Sequence, residues 1–458
     1  MDADEEMAVM TAAAAAAATL VNIMDDFMDD DCHHLGGDQS LLQHLQQEVE
    51  EEKSKLYRRS YPRRDYWKST WGLWLRELQR LSALEGGLDP KCREAEQFVD
   101  AFRITYPFFV HLMESVRPVF PSATRDVAGR ALPPVELKVL GALKILASSN
   151  SFSDVASLTL MSKYTVEVSF HHFCEKFAEG MWDTWVKLPT GDELRKVEEV
   201  FRKCGYPGAV GSMDCTHVKW EKCPFSEQRG HTGKEGFATL VYEVICDHSG
   251  RILASTKSYP GAENDKTVVS RDEAVKKIQQ KEPWKSFKFQ LYDVNGEKQD
   301  RTGAWLIVDG GYPKEPLMIP PIKPYKTEKE GRWSRRTESM RKDVECCFGR
   351  VKGRFRIFRN AILFTSREKI DNAWFTACIL HNMLHAFHNL GRMQEDRGWE
   401  GSAGSLDNHT VSAGAADVDE ASHEVVPNGF KEFRSALVTH FDWALKKNEV
   451  VWLTRKAL

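Results

Sequence analysis

Residues 209–214, AVGSMD, mark the point where the period of the chain changes. Upstream of Pro207, apolar residues recur at helical spacing. Downstream they fall in short runs rich in β-branched and aromatic residues: AVGSMD, ATLVYEVICD at 238–247 and RILASTKSY at 251–259, separated by Gly, Asp and Ser turn signals. A helical stretch near Asp265 to Ile278 follows, then a fourth strand in AWLIVDGGY at 304–312, then a long amphipathic helix from about Ser334 to Phe355. Strands first as a meander, then strand and helix in alternation, predict an α/β fold with a mixed sheet flanked by helices.

Working outward, residues 94–190 read as a small helical domain. Phe98, Phe102, Phe109 and Leu112 fit one face of a helix or helix pair. Pro133 and Pro134 open a helix in which Leu137, Leu140, Leu143 and Leu146 recur every third position, so its apolar face is broad and buried. The next segment reads as short helix, turn, longer helix. Ser162 is placed to cap the longer one, leaving Lys163, Tyr164 and Thr165 exposed in its first turn. That is the layout of a helix-turn-helix, whose second helix reaches a DNA groove from its N-terminal end. A plain helical hairpin satisfies the same pattern, and few cations sit in that second helix, so both readings stand.

The net charge of −4 hides an uneven distribution. Residues 1–56 hold 14 Asp/Glu against two Lys/Arg, a balance of −12, which leaves +8 on the rest. Such asymmetry suits a protein that touches a polyanion, and equally a solvated tail on an ordinary enzyme. Residues 1–55 are acidic and alanine-rich, with too few large apolar side chains to repay ordering. Residues 56–93 form a basic, Trp-rich linker whose paired arginines (Arg58, Arg59, Arg63, Arg64) fit a nuclear import signal. A second linker spans 393–428, and a helix closes the chain at 429–458. The ten cysteines form no CxxC pair, which points to reduced thiols in an intracellular compartment. The one strongly apolar stretch, Ala8 to Met24, sits behind an acidic flank, unlike a signal peptide. No run approaches a membrane span, and monomer and homo-oligomer stay equally open.

Three acids carry the chemistry. Asp214 closes a strand in VGSMDCTHVKW and Asp309 closes another in WLIVDGGY. Carboxylates at the ends of buried strands stand where α/β folds place ligands, although either alone is more often a turn-former or helix cap. The third acid, Glu345, lies among Val344, Phe348, Val351 and Phe355 on a helix dense in cations. Lys323 to Arg359 holds thirteen Lys/Arg against five Asp/Glu, a net +8 suited to phosphate. Arg341, Lys342, Arg350, Lys352 and Arg354 on that helix, with Lys163, Tyr164 and Thr165 upstream, are the candidate DNA contacts. Three converging carboxylates repel one another unless cations sit among them, and hard oxygen ligands favour Mg²⁺ or Mn²⁺. Two such ions would serve phosphodiester cleavage. Asp265 in PGAENDKTV reads as a helix cap or an auxiliary acid, with the cap favoured. Asp247 reads as a hairpin turn residue. His381 and His385 have zinc-like spacing without the glutamate of a zinc-protease helix, so they read as ordinary histidines.

The motifs MDCTHV (213–218), PGAENDKTV (260–268), LIVDGGY (306–312), RKDVECCFGRVKGRFRIFR (341–359) and ACILHNMLH (377–385) occur in an order that resembles the DDE transposase domain of the Harbinger superfamily. The segment 133–166 resembles that family's helix-turn-helix, and the likeness covers roughly residues 95 to 390. It implies a ribonuclease-H-like domain at 200–390, two Mg²⁺ ions, DNA strand cleavage and transfer, and the three acids at Asp214, Asp309 and Glu345. Between the first two lie 94 residues, room for an insertion near Gln279 to Arg301, and between the last two lie 35. The resemblance also implies a Myb-like DNA-binding partner, and the basic cluster at 58–64 gives the expectation of a nuclear protein. The competing expectation is a domesticated DNA-binding or chromatin-interaction protein that keeps its acids without using them.

Overall fold

Capping and apolar spacing explain where the helices before the sheet begin and end. The computed structural model describes residues 64–396 and 428–455, apart from 119, 121–123 and 127–130. The acidic segment 1–55, the stretch 56–63 and most of the 393–428 linker lie outside the described residues. Helix α1 (Thr70–Ser82) begins where Ser69 accepts a hydrogen bond from the Gly72 N–H, and it buries Trp71, Leu75 and Leu78. The segment expected as a linker is therefore helical in this part, because those residues share one helix face. Next come α2 (Arg93–Phe102), α3 (Tyr106–Val116) and α4 (Val135–Ser148). Leu137, Leu140, Leu143 and Leu146 of α4 are all fully buried, as their spacing requires. Helix α5 (Phe152–Thr159) starts with a capping box between Ser151 and Asp154. A three-residue turn, with Leu160 in the left-handed region, leads to α6 (Lys163–Trp185), capped by Ser162 as expected. Helix α7 (Gly191–Lys203) brings the chain to the sheet.

Strand β1 (Ala209–Lys219) is followed by the short helix α8 (Phe225–His231) and by β2 (Thr239–Cys246), which is buried at every position. Strands covered on both faces read as continuous apolar runs rather than alternating ones. β3 (Ile252–Ser255), β4 (Tyr259–Pro260), α9 (Asp265–Val269) and α10 (Glu273–Gln280) come next. A separate hairpin, β5 (Lys288–Tyr292) and β6 (Lys298–Thr302), fills the expected insertion. Its turn carries Asn295-Gly296, with Gly296 at φ +80°, the positive φ that a tight hairpin turn needs. β7 (Trp305–Ile307) and β8 (Met318–Ile319) complete the main sheet. The order is β3-β2-β1-β7-β8, with β4 also paired to β2. β1 and β2 are antiparallel, whereas β1–β7 and β7–β8 are parallel, so the sheet is mixed and helices flank it. The mixed α/β class expected from the sequence is the one observed.

Two long helices cover one face. α11 (Glu328–Arg354) starts six residues before the expected Ser334, because Thr327 and Glu330 form a capping box. It crosses β1, where the Ser212 hydroxyl donates to the Met340 carbonyl. α12 (Arg367–Phe387) is buried along most of its length. A single apolar cluster joins Phe98, Leu140 and Phe170 of the early helices to Tyr242 and Val244 of β2 and to Trp374 and Ile379 of α12. The early helices thus share their core with the sheet. On the opposite face Val210, Met213, Ile245 and Leu306 pack with Val275 and Ile278 of α10. β9 (Met393–Asp396), α13 (Asn428–Lys446) and β10 (Trp452–Arg455) follow, with β9 and β10 paired antiparallel. The expected linker thus has its first residues in a strand. No described helix is long and apolar enough to cross a membrane.

Candidate active site

The parallel ladder between β1 and β7 ends at Ser212↔Ile307, and an acid follows two residues later on each chain segment. Asp214 lies in the middle of β1, not at its end, because β1 keeps pairing with β2 as far as Lys219↔Thr239. Asp309 does follow the end of β7. Both carboxylates therefore stand at the C-terminal edge of a parallel strand pair, where the loss of a neighbour opens room for a ligand. Asp214 Oδ1 accepts the Cys215 N–H at 2.8 Å. Asp309 Oδ1 accepts the Gly311 N–H at 2.8 Å, the turn expected from its glycines.

Asp265 joins them. The cap of α9 is Asn264, whose side chain accepts from Thr267, and this corrects the favoured sequence reading of Asp265 as a cap. Freed from capping, Asp265 turns toward Asp309: a Cβ placed on Gly311 would meet Asp265 Oδ2 at 3.0 Å and Asp309 Oδ1 at 3.1 Å. Burial, with the nearby charges of Asp309 and Asp265, pushes Asp214 up to about 7. Burial and Asp309 raise Asp265 as well. Gathered carboxylates of this kind stay close only if one holds a proton or a cation sits among them. A further buried acid, Glu243 on β2, faces Cys215 across the ladder, with Cys215 Sγ 3.8 Å from its Oε2. Burial holds its carboxyl well above the usual range, with Asp272 adding to the effect. The sequence signal for it was a lone Glu inside the apolar run LVYEVIC.

Glu345 reaches this cluster through Arg341. Arg341 Nη1 lies 3.2 Å from Asp214 Oδ2 and Nη2 lies 2.7 Å from Glu345 Oε1, while Nε lies 3.3 Å from Glu338 Oε2. Asp214, Asp265 and Asp309 are thus gathered on the sheet side, and half-exposed Glu345 faces them across a guanidinium. Among the described residues, no three His, Cys, Asp or Glu side chains stand as a ready set of metal ligands.

The expected phosphate contacts divide. Arg341 is committed to carboxylates. The Lys352 ammonium donates to the His217 carbonyl at 2.6 Å, and burial pushes it down to about 8. Burial also lowers Arg354, and Arg350 Nε and Nη2 are buried without a hydrogen-bond partner. Lys342 is half-buried. At the start of α6, Lys163 and Tyr164 are exposed, Tyr164 at 75%. Thr165 differs from expectation: it is half-buried, its hydroxyl 2.7 Å from that of Ser162. His381 and His385 are buried core residues beside the carbonyls of Gly250 and Ser249, at 2.9 and 3.2 Å. Asp247 is a turn residue, its carbonyl accepting from Gly250 and its carboxylate from Ser249 and Arg251.

Comparison with known proteins places this geometry in context. A family described as plant transposon protein matches residues 143–394. "Protein ALP1-like" from Arabidopsis thaliana is 23% identical over 312 residues, covering 65% of this chain and 72% of that protein. "Putative nuclease HARBI1" from Mus musculus is 24% identical over 258 residues, covering 56% of this chain and 68% of that protein. The protein of the same name from Homo sapiens is 22% identical over 258 residues, with the same coverage. No solved structure matches the chain.

Proposed function

The chain belongs to the plant transposon protein family and is Harbinger-like, and from that premise we propose that it is a metal-dependent DNA nuclease of transposase type. The sheet would then be a ribonuclease-H-like core. The observation that carries the reading is the gathering of Asp214, Asp309 and Asp265 at the edge of the β1–β7 ladder, with Asp214 pushed up to about 7. The donor chemistry fits a hard divalent cation: carboxylate oxygens, mutually repelling, at the opening of a parallel strand pair.

In this reading Asp214, Asp309 and Glu345 would hold two Mg²⁺ or Mn²⁺ ions, with Asp265 as an auxiliary acid. Such ions supply a lowered pKa for an attacking water or hydroxyl and charge for the leaving oxygen of a phosphodiester. Asp214 and Asp309 bring their charge from a rigid sheet, so little reorganisation is needed. Glu345 is carried by α11, whose contact with β1 sets its distance from them. Arg341 neutralises Asp214 and Glu345 from the helix side of the cluster. Lys163 and Tyr164, exposed at the start of α6, supply contacts to the duplex. A nuclear location and a Myb-like DNA-binding partner complete the proposal.

The test is strand cleavage of labelled DNA in Mg²⁺ or Mn²⁺ by the full chain, alone and with candidate partners, against Asp309→Asn and Glu345→Gln. Metal-dependent cleavage lost in both variants supports the nuclease. One observation favours a second reading: Arg341 pairs with both Asp214 and Glu345. DNA binding with no cleavage, indifferent to both substitutions, would establish the domesticated, non-catalytic protein instead.

A further inference from the structure

The segment between β1 and β2 contributes nothing to the sheet, yet it is anchored tightly beside the acid cluster. The Trp220 N–H donates to the Ala238 carbonyl at 2.9 Å, and Thr232 bridges Ala238, so residues 221–237 leave and return through a closed neck. The segment is seated on the loop that leads to Asp265. The Ala262 N–H donates to the Gly230 carbonyl at 3.3 Å, and the Gly261 N–H to the Thr239 carbonyl at 3.0 Å. A Cβ on Gly261 would overlap the Thr239 hydroxyl and the His231 carbonyl, and one on Gly233 would overlap the Gly261 carbonyl. Only three residues separate Gly261 from Asp265. Lys234 on this flap lies close enough to Asp265 and His217 to act on the charge of both.

What the flap displays is unusual for a surface. Phe225 is 91% exposed and Phe237 is 42% exposed, while Trp220, Cys223 and His231 nearby in sequence are buried. The Lys219 ammonium lies 5.2 Å from the centre of the Phe237 ring. Lys222, Arg229 and Lys234 are exposed on the same segment, interspersed with Glu221, Glu227 and Glu235, and the Lys219 ammonium is also paired with Glu221 at 2.8 Å. A lone exposed phenylalanine asks for no explanation. Two of them on one segment, one with an ammonium over its face, seated on the loop of a candidate DNA-cleaving site, make a surface of another kind. Aromatic faces with interspersed cations hold unpaired nucleotides, because every base has a face to stack and every linkage carries a charge.

We propose that residues 219–237 form a stacking platform for unpaired DNA bases next to the scissile phosphodiester, with Phe225 and Phe237 against the bases and Lys222, Arg229 and Lys234 along the backbone. The inference rests on the reading of the acid cluster as a DNA-cleaving centre and adds its substrate form: DNA whose strands are parted at the cut. Intact duplex offers its bases stacked on one another, so the rings gain nothing from it.

The experiment measures binding by the full chain with EDTA present, using fluorescently labelled oligonucleotides: a duplex, the same duplex with a central run of mismatches, and the single strand. Wild-type protein is expected to bind the mismatched and single-stranded forms more tightly than the duplex. Phe225→Ala and Phe237→Ala should each weaken that binding about 5-fold or more, leave duplex binding within about 2-fold, and leave the circular dichroism spectrum unchanged. Phe237→Trp should retain it. Equal effects on all three oligonucleotides, or none on any, would overturn the platform and mark the rings as a protein contact. Ring-dependent binding without cleavage in Mg²⁺ or Mn²⁺ would keep the platform and overturn the cleavage reading. Cleavage with ring-independent binding would do the reverse.

Discussion

Arg341 Nη1 stands 3.2 Å from Asp214 Oδ2, joining a helix to a strand 127 residues away in the chain. The other end of the same guanidinium lies 2.7 Å from Glu345. One cation therefore occupies the ground between a carboxylate of the sheet and a carboxylate of α11. In a gathering of acids with Asp214 pushed up to about 7, the guanidinium does electrostatically what a divalent ion would do.

Removing it should expose that role. Arg341→Met is expected to lower stability in divalent-free buffer by about 2–3 kcal/mol, since the partners left behind are partly buried. Mn²⁺ should then raise the melting temperature of the variant more than that of the wild type. Equal metal effects on both proteins would show that the guanidinium and the ion do not compete for one place.

Lys352 gives a pH signature. Burial lowers it to about 8 in the folded protein, against roughly 10.4 in an unfolded chain. Below pH 8 it is protonated in both states and the folded state bears the full cost. Between about 8 and 10.4 the unfolded state holds more protons, so stability rises with pH. Urea melts across that window should show the rise in wild type and its loss in Lys352→Met. Parallel profiles would rule it out.

Asn382 ties α12 to an edge strand. Its Oδ1 accepts the Ile252 N–H at 2.9 Å, and its Nδ2 donates to the carbonyls of Ile252 and Trp185, each at 2.7 Å. Asn382→Leu keeps the volume but strands those backbone groups, so a loss of about 2–4 kcal/mol is expected in equilibrium unfolding. A loss below about 1 kcal/mol would mean that water reaches the strand edge.

Gly261 is where the flap meets the loop of Asp265. Because a Cβ there overlaps Thr239 and His231, Gly261→Ala should cost about 1–3 kcal/mol. Limited proteolysis should show faster cutting within 221–237 than in wild type. Unchanged cutting would mean that the flap is held elsewhere.

Much of this was legible in local pattern. The change of period at Ala209, the four main strands, Ser162 as a cap and an Asp just after β7 all follow from side-chain spacing and turn chemistry. These act over a few residues, and that is the range sequence pattern encodes. The β5–β6 hairpin was missed although Asn295-Gly296 marks its turn, because charged, exposed β6 offers no apolar alternation.

What tertiary structure decided was direction. Spacing along α11 fixes the angles between Arg341, Glu345, Lys352 and Arg354, but not which angle faces the sheet. The crossing of α11 over β1 settled that, turning Arg341 to Asp214 and Lys352 to His217. Asp265 is the converse case: Asn264 took the cap, and the fold of the loop at Gly261 carried Asp265 to Asp309. Such pairings join residues separated by tens to more than a hundred positions, and their geometry is set by packing across the sheet, which no local period records.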